Sequence, residues 1–102
     1  MMEMDLDPTT RGIIETWIEF LLEDSSLERL YKTAKYYYKI GAIDSIKSCM
    51  FGILSAQTEE VFYTWIRKFK REPSEDEFME FMRIFEERVP KIKSRILEIT
   101  SK

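Results

Sequence analysis

Side chains able to do chemistry are scarce in this chain, and the commonest of them is missing. There is no histidine, which is the usual general acid or base near neutral pH and a frequent metal ligand. Glu77, Glu80 and Glu87 could line a metal site in a helical bundle, but the Glu-x-x-His units that complete such sites cannot occur. Cys49 lies in an apolar run and is expected to be a buried filler. We therefore expect a non-enzymatic protein without catalytic residues, metal ligands or a cofactor.

The basic residues form two groups that suggest an alternative function. One group follows the predicted second helix and the other ends the predicted fourth helix, and each contains a tyrosine. Cations beside an exposed aromatic ring can meet phosphates and stack on bases, although the same residue types also coat solvated helices. A pI near 5.1 argues against a dedicated nucleic-acid binder. The alternative is a small nucleic-acid-binding regulator whose basic face comprises Lys32, Lys35, Tyr36, Lys39, Tyr63, Arg67, Lys70 and Arg71.

Charge is segregated along the chain, although the net charge is only −3. Residues 1–24 hold seven acids and one base, and residues 72–87 repeat that ratio. Residues 25–71 hold nine bases and four acids, and residues 88–102 hold five bases and one acid. Such blocks favour the packing of acidic helices beside basic ones, within one chain or between chains.

The elements that must position these residues are helices. Three glycines and three prolines in 102 residues, with abundant Glu, Lys, Ile and Leu, indicate an all-α protein. Apolar residues at helical spacing predict a compact bundle of five or six short helices, with mostly antiparallel neighbours. After a first helix that opens at Asp7 and Pro8, the others are expected over 27–40, 44–55, 58–71, 75–89 and 90–102. Residues 7–102 are expected to form one domain, and residues 1–6 a flexible tail.

Local signals mark several helix ends. Gly41 fits the left-handed position that stops a helix, and Ser74 with Glu77 forms a capping box. Pro90 is expected to kink or restart the chain. Residues 52–69 resemble the turn and recognition helix of helix-turn-helix regulators, but Glu59 and Glu60 would face phosphates. Residues 30–46 resemble the helical hairpin of tetratricopeptide-like repeats, in a single copy where three are usually needed.

The surplus of apolar residues leads to the main functional hypothesis. Ile13, Phe20 and Leu22 widen the apolar face of the first helix, and Met79 lies outside that of the fifth. Exposed apolar residues beyond those of a core usually mark an interface. We expect a helical protein–protein interaction or assembly module that forms a homodimer, with the first helix as the dimer element.

Composition also suggests a source and a compartment. The chain has no asparagine and a single glutamine, Gln57, which is typical of heat-adapted proteins, so we expect a thermophilic source, archaeal or from an archaeal virus. The acidic N-terminal residues do not fit a signal peptide. No apolar run reaches the roughly 18 residues that a membrane span needs. We therefore expect a cytoplasmic protein that does not act at a membrane.

Overall fold

A computed structural model describes residues 7–102, which form four α-helices and no strand. The helices are α1 (Pro8–Leu21), α2 (Asp24–Lys39), α3 (Ile46–Arg67) and α4 (Glu75–Thr100). The all-α class is confirmed, but the expected count of five or six helices is wrong. The tail predicted at residues 1–6 lies outside the described residues.

The helices expected over 44–55 and 58–71 are a single helix, α3, because Thr58 does not begin a new one. Its side chain is buried, and its hydroxyl donates to the Leu54 carbonyl at 2.8 Å. A bond back to the preceding turn satisfies the hydroxyl and lets threonine sit inside a helix. Helix α3 begins after Ser45, whose side chain accepts from the Ser48 amide at 3.1 Å. The continuous helix also removes the turn that the helix-turn-helix resemblance requires.

Helix α4 likewise joins two expected helices, since it continues through Pro90. Proline has no amide to bond the carbonyl of Glu86. Pro90 and Glu86 are both exposed, so water can satisfy that carbonyl. The predicted capping box at the start of α4 is confirmed: Ser74 Oγ accepts from the Glu77 amide at 3.1 Å, and Glu77 Oε1 accepts from the Ser74 amide at 2.9 Å.

Helices α1 and α2 lie end to end, so that together they form one rod with a short break. Asp7 caps α1, accepting from the Thr10 amide at 2.9 Å, and Pro8 occupies the first turn. Only Leu22 and Glu23 separate α1 from α2, because residues 24–26 form the first turn of α2 rather than a linker. The expected stop at Gly41 is confirmed by its φ of 79°, and the amides of residues 41 and 42 donate back to the last turn of α2.

The four helices form three rods, α1 with α2, α3, and α4, in a body of 49 × 23 × 20 Å. Neighbouring rods are parallel or antiparallel. Helix α3 contacts each of the other three. Thr10 meets Trp65 while Leu21 lies near Leu54, so α1 is antiparallel to α3. Helix α4 is antiparallel to α3 and parallel to α1 and α2, as ion pairs from Arg11 with Glu80 to Glu28 with Lys102 show.

The core lies between the three rods and is closed by stacked aromatic rings. Phe62 and Phe81 stack with their centroids 4.6 Å apart and their planes 11° apart. Two residues that the helical spacing assigns to the core, Phe69 and Met82, are exposed, because Phe69 lies past the end of α3 and Met82 faces away from its neighbours. The buried apolar residues are Ile14, Ile18, Leu21, Leu22, Leu27, Ala34, Met50, Leu54, Phe62, Ile66, Phe81, Ile84, Phe85, Ile92, Ile96 and Ile99.

Candidate interaction surfaces

The edge between the α1–α2 rod and α4 is held by ion pairs, which we call the ion-pair ladder. Glu19 accepts from Arg88 at 3.0 Å and from Lys91 at 2.9 Å, and the hydrogen bond from Lys91 lowers the pKa of Glu19. The hydrogen bond from Arg95 likewise lowers the pKa of Asp24. Acidic α1 therefore packs against the basic second half of α4. The ladder comprises Arg11 with Glu80, Glu19 with Arg88 and Lys91, Asp24 with Arg95, and Glu28 with Lys102.

Glu77, Glu80 and Glu87, the carboxylates that could line a metal site, do not form one cluster. Glu80 is buried and accepts from Arg11 and Arg83, each at 2.6 Å. Glu77 accepts two 2.7 Å bonds from Arg71, which lower its pKa to about 2, while Glu87 is exposed. Among residues 7–102, no group of three or more acidic or cysteine side chains could hold a metal ion.

A second edge carries an open depression, which we call the α1–α3 groove. It has a volume of about 570 Å³ and lies beside the break between α1 and α2. Arg29 lines it from α2 and Glu60 from α3, and neither forms an ion pair within residues 7–102. Its apolar lining residues are Trp17, Phe20, Leu21, Leu30, Ile53, Leu54 and Val61.

The two tryptophans differ in how their ring nitrogens are satisfied. Trp65 Nε1 donates to Thr10 Oγ1 at 2.9 Å. Trp17 Nε1 is shielded from solvent and has no acceptor in the described part of the chain, while its ring packs on Phe20 with the centroids 5.2 Å apart. An unmet buried donor costs about 1–3 kcal/mol. The wall of the α1–α3 groove therefore contains a buried N–H group without an acceptor in the described residues, whereas the N–H group of Trp65, near the start of α1, has one.

The four residues predicted to form an interface do not share one surface. Phe20 is 44% exposed and lines the α1–α3 groove, and Ile13 lies two turns earlier on α1, half-buried. The prediction for Leu22 is wrong, because only 4% of it is exposed and it belongs to the core. Met79 is exposed, but its neighbour Glu80 pairs with Arg11, nine residues or about 14 Å along α1 from Phe20.

The predicted basic face divides into two separate groups. Lys32, Lys35, Tyr36 and Lys39 are exposed along one side of α2, which we call the α2 basic stripe. Its lysines form no ion pair within the described residues, and Lys35 lies over the Tyr31 ring, 4.4 Å from its centroid.

The second basic group lies at the far end of α3 and is largely used within the chain. Arg67 pairs with Glu72 at 3.2 Å and Arg71 with Glu77 at 2.7 Å, while Tyr63 is half-buried against Phe62. Lys70 stands exposed with a φ of 62°. Because α2 ends beside the start of α3, about 32 Å of helix separates this group from Lys39 and about 21 Å separates it from Lys32. The structure does not bring the two groups together into one face.

No family model, curated protein or solved structure matches this chain. Within residues 7–102, no helix is both long enough and apolar enough to cross a bilayer. The surfaces themselves are therefore the basis for a functional proposal. The sequence pattern identified Phe20 as an interface residue but did not predict the α1–α3 groove, since a groove beside a helix break has no local sequence signature.

Proposed function

We propose that this protein is a non-enzymatic helical interaction module that binds another protein through the α1–α3 groove. The observation that carries the proposal is an apolar groove of about 570 Å³ with Phe20 44% exposed in its wall. Exposed apolar patches on small proteins usually mark interaction sites. A groove between helices suits the apolar face of another helix, which inserts side chains from successive turns.

The titratable groups support a non-enzymatic role. Hydrogen bonds from basic side chains on other elements lower the pKa values of Glu19, Asp24 and Glu77, and the hydrogen bond from the Thr10 amide at the start of α1 lowers the pKa of Asp7. None of these groups lines the α1–α3 groove. Catalytic sites usually gather groups of perturbed pKa in a cleft, whereas these groups serve the packing of helices.

The groove also suggests the chemistry of its partner. Its floor takes aliphatic or aromatic side chains, and its polar margin carries one cation, Arg29, and one anion, Glu60. A complementary helix would have apolar residues at positions i, i+4 and i+7, with an acid near Arg29 and a base near Glu60.

Selection from a library of helical peptides on the immobilised full chain tests this proposal. We expect the selected peptides to share the apolar spacing and to quench or shift Trp17 fluorescence. Phe20→Lys should weaken their binding by about tenfold or more, equal to 1.4 kcal/mol. Thr16→Lys is the matched control, because Thr16 is an exposed α1 residue that does not line the groove. Equal binding to Phe20→Lys and to the unmodified chain would rule out the groove.

A second candidate function is nucleic-acid binding by the α2 basic stripe. It is favoured by the three lysines that have no ion pair within the described residues and by the exposed ring of Tyr36. Three phosphate contacts would give a slope of about −2.7 for log affinity against log salt on duplex DNA. Lys35→Glu should abolish binding and Lys68→Glu, at the other end of the bundle, should not. No retention on duplex DNA at low salt would end this candidate.

The source and the compartment are part of the same proposal. Composition supports a thermophilic source and a cytoplasmic location, and ion-pair networks such as the ion-pair ladder are typical of heat-adapted proteins. We expect thermal unfolding above the range of roughly 45–65 °C that is usual for mesophilic domains. A melting temperature inside that range would contradict the thermophilic source.

A further inference from the structure

One face of α4 is largely exposed, with only Val89 half-buried at its centre, and we call it the α4 outer stripe. Its members recur at three- or four-residue spacing on both sides of a central pair, Val89 and Pro90, so they lie on one side of the helix. Met82 is 44% exposed and Leu97 is 53% exposed, although both are large apolar residues. The stripe comprises Met82, Glu86, Val89, Pro90, Lys93 and Leu97.

The α4 outer stripe has apolar and charged residues at matching distances on the two sides of its centre, with the sign of the charge reversed. An apolar residue, Met82, and an acid, Glu86, precede the midpoint between Val89 and Pro90. A base, Lys93, and an apolar residue, Leu97, follow it at the same distances. With a rise of 1.5 Å per residue, the charged residues lie about 5 Å and the outer apolar residues about 11 Å from that midpoint.

The charges of the stripe have no ion-pair partner in the part of the chain that the structure describes. Glu86 and Lys93 form no ion pair within residues 7–102. On the opposite side of the same helix, Arg88, Lys91 and Arg95 are all paired with α1 or α2. The fold of residues 7–102 therefore pairs the inner charges of α4 and leaves Glu86 and Lys93 on its outer side unpaired.

We propose that the α4 outer stripe is the contact between two copies of this chain, packed antiparallel about a two-fold axis. That axis passes between Val89 and Pro90. An isologous contact of this kind needs a surface that complements itself. Glu86 of each copy then faces Lys93 of the other, and Met82 faces Leu97, so each pairing occurs twice. The second copy is preferred over an unrelated partner because the complementarity comes from the stripe's own symmetry.

A shallow depression beside the stripe gives the partner additional surface. It has a volume of about 440 Å³ and an apolar floor, and Val89 and Lys93 belong to both surfaces. Lys47 lines its far side from α3, which adds a second cation near the path of the partner's Glu86. Phe51 and Ile96 also line it, and they give the partner's Met82 apolar contacts beyond Leu97.

This inference deepens the proposed function by naming one partner, but it uses a surface separate from the α1–α3 groove. It also places the dimer contact on α4, whereas the sequence predicts it on α1. Phe20→Lys should consequently leave self-association unchanged. The two proposals can fail independently, because peptide binding reports on the groove and oligomeric state reports on the stripe.

Sedimentation equilibrium and light scattering on the full chain test the dimer. One helix per copy makes a small interface, so we use concentrations up to roughly 500 µM. The unmodified chain should reach twice its 12.3 kDa mass. E86K and K93E should each weaken dimerisation by about tenfold or more, because each places like charges opposite one another twice. An equimolar mixture of E86K and K93E should form a heterodimer, since every charge then faces its opposite.

Glu87→Lys is the matched control, because Glu87 is exposed, adjacent to Glu86 and about 100° around the helix from it. It should leave the dimer intact, whereas Leu97→Lys should dissociate it, and circular dichroism should show every variant folded. The proposal is overturned if the unmodified chain stays monomeric at every concentration, or if E86K and Glu87→Lys weaken the dimer equally. It is also overturned if the mixture of single variants fails to associate, or if Phe20→Lys alone dissociates the dimer.

Discussion

The inner and outer sides of α4 carry the same residue types in different circumstances. On the inner side, the ion-pair ladder joins carboxylates and cations that are far apart in sequence, such as Glu19 and Lys91. On the outer side, Glu86 and Lys93 are exposed and form no ion pair within residues 7–102. A charge whose partner lies in the same chain contributes to folding, whereas an unpaired charge beside exposed apolar residues is what the proposed contact between two copies requires.

Acid should produce the largest effect, because it removes the paired carboxylates together. The pKa of Glu77 is lowered to about 2 by its bonds from Arg71, and the pKa values of Glu19 and Asp24 are lowered by Lys91 and Arg95. A carboxyl group whose pKa falls on folding stabilises the fold above its ordinary value, near 4, and loses that contribution as the pH falls through the lowered value.

We therefore expect the melting temperature to decline as the pH falls from about 4.5 towards 2. Circular dichroism melts across this interval measure it, and Glu77→Gln should reduce the decline. A melting temperature that stays constant down to pH 2 would contradict the assigned role of these pairs.

Breaking the buried end of the ion-pair ladder should have the next largest effect. Arg11→Met leaves the buried Glu80 with Arg83 alone, so we expect a loss of about 2 kcal/mol in the free energy of unfolding. Glu80→Met leaves two arginines that water can reach, so its cost should stay below about 1 kcal/mol. Urea unfolding of both variants measures the difference, and an equal or larger loss for Glu80→Met would reverse the argument.

A matched pair of charge reversals compares the two sides of α4 directly. Glu19→Lys places a third cation beside Arg88 and Lys91 and should cost about 1 kcal/mol. Glu86→Lys, measured at concentrations low enough to keep the chain monomeric, should change the free energy of unfolding by less than about 0.5 kcal/mol. Similar losses for both would mean that the outer charges also support the fold.

A smaller change than that of Glu19→Lys, and in the opposite direction, is expected at Lys70, a cation without an ion pair in the described residues. Its φ of 62° is left-handed, which is unfavourable for a residue with a Cβ. Lys70→Gly should raise the free energy of unfolding by roughly 0.5–1 kcal/mol. Lys68→Gly is the control, because Lys68 has right-handed geometry and should lose stability instead. A loss for Lys70→Gly would show that its charge matters more than its backbone.

The helix ends that the sequence predicted correctly depend on neighbouring residues. Asp7, Gly41 and the Ser74 with Glu77 capping box act through hydrogen bonds within a few positions of the chain. Such signals are visible in the sequence because all of the participating groups are near one another.

The helix breaks and the surfaces depended on distant residues instead. Thr58 and Pro90 both suggested a break, and both lie inside helices because one is buried with its hydroxyl bonded and the other is exposed to water. Leu22 and Phe69 show the same problem for burial, since each is apolar and only the arrangement of the rods decides which is covered. The α1–α3 groove and the α4 outer stripe consequently could not be predicted from the sequence, because both depend on how the three rods pack.

Arg95 joins the interruption between α1 and α2 to α4. Its guanidinium donates to the Leu22 carbonyl from Nε at 3.1 Å and from Nη2 at 2.8 Å, and it also bonds Asp24 and Glu98. A planar fork reaches all three acceptors at once, whereas a lysine ammonium is a single point of charge. Arg95→Lys would preserve the net charge but lose the paired hydrogen bonds to the Leu22 carbonyl between α1 and α2. The direction in which α2 leaves α1 therefore depends on a side chain more than seventy residues later in the sequence.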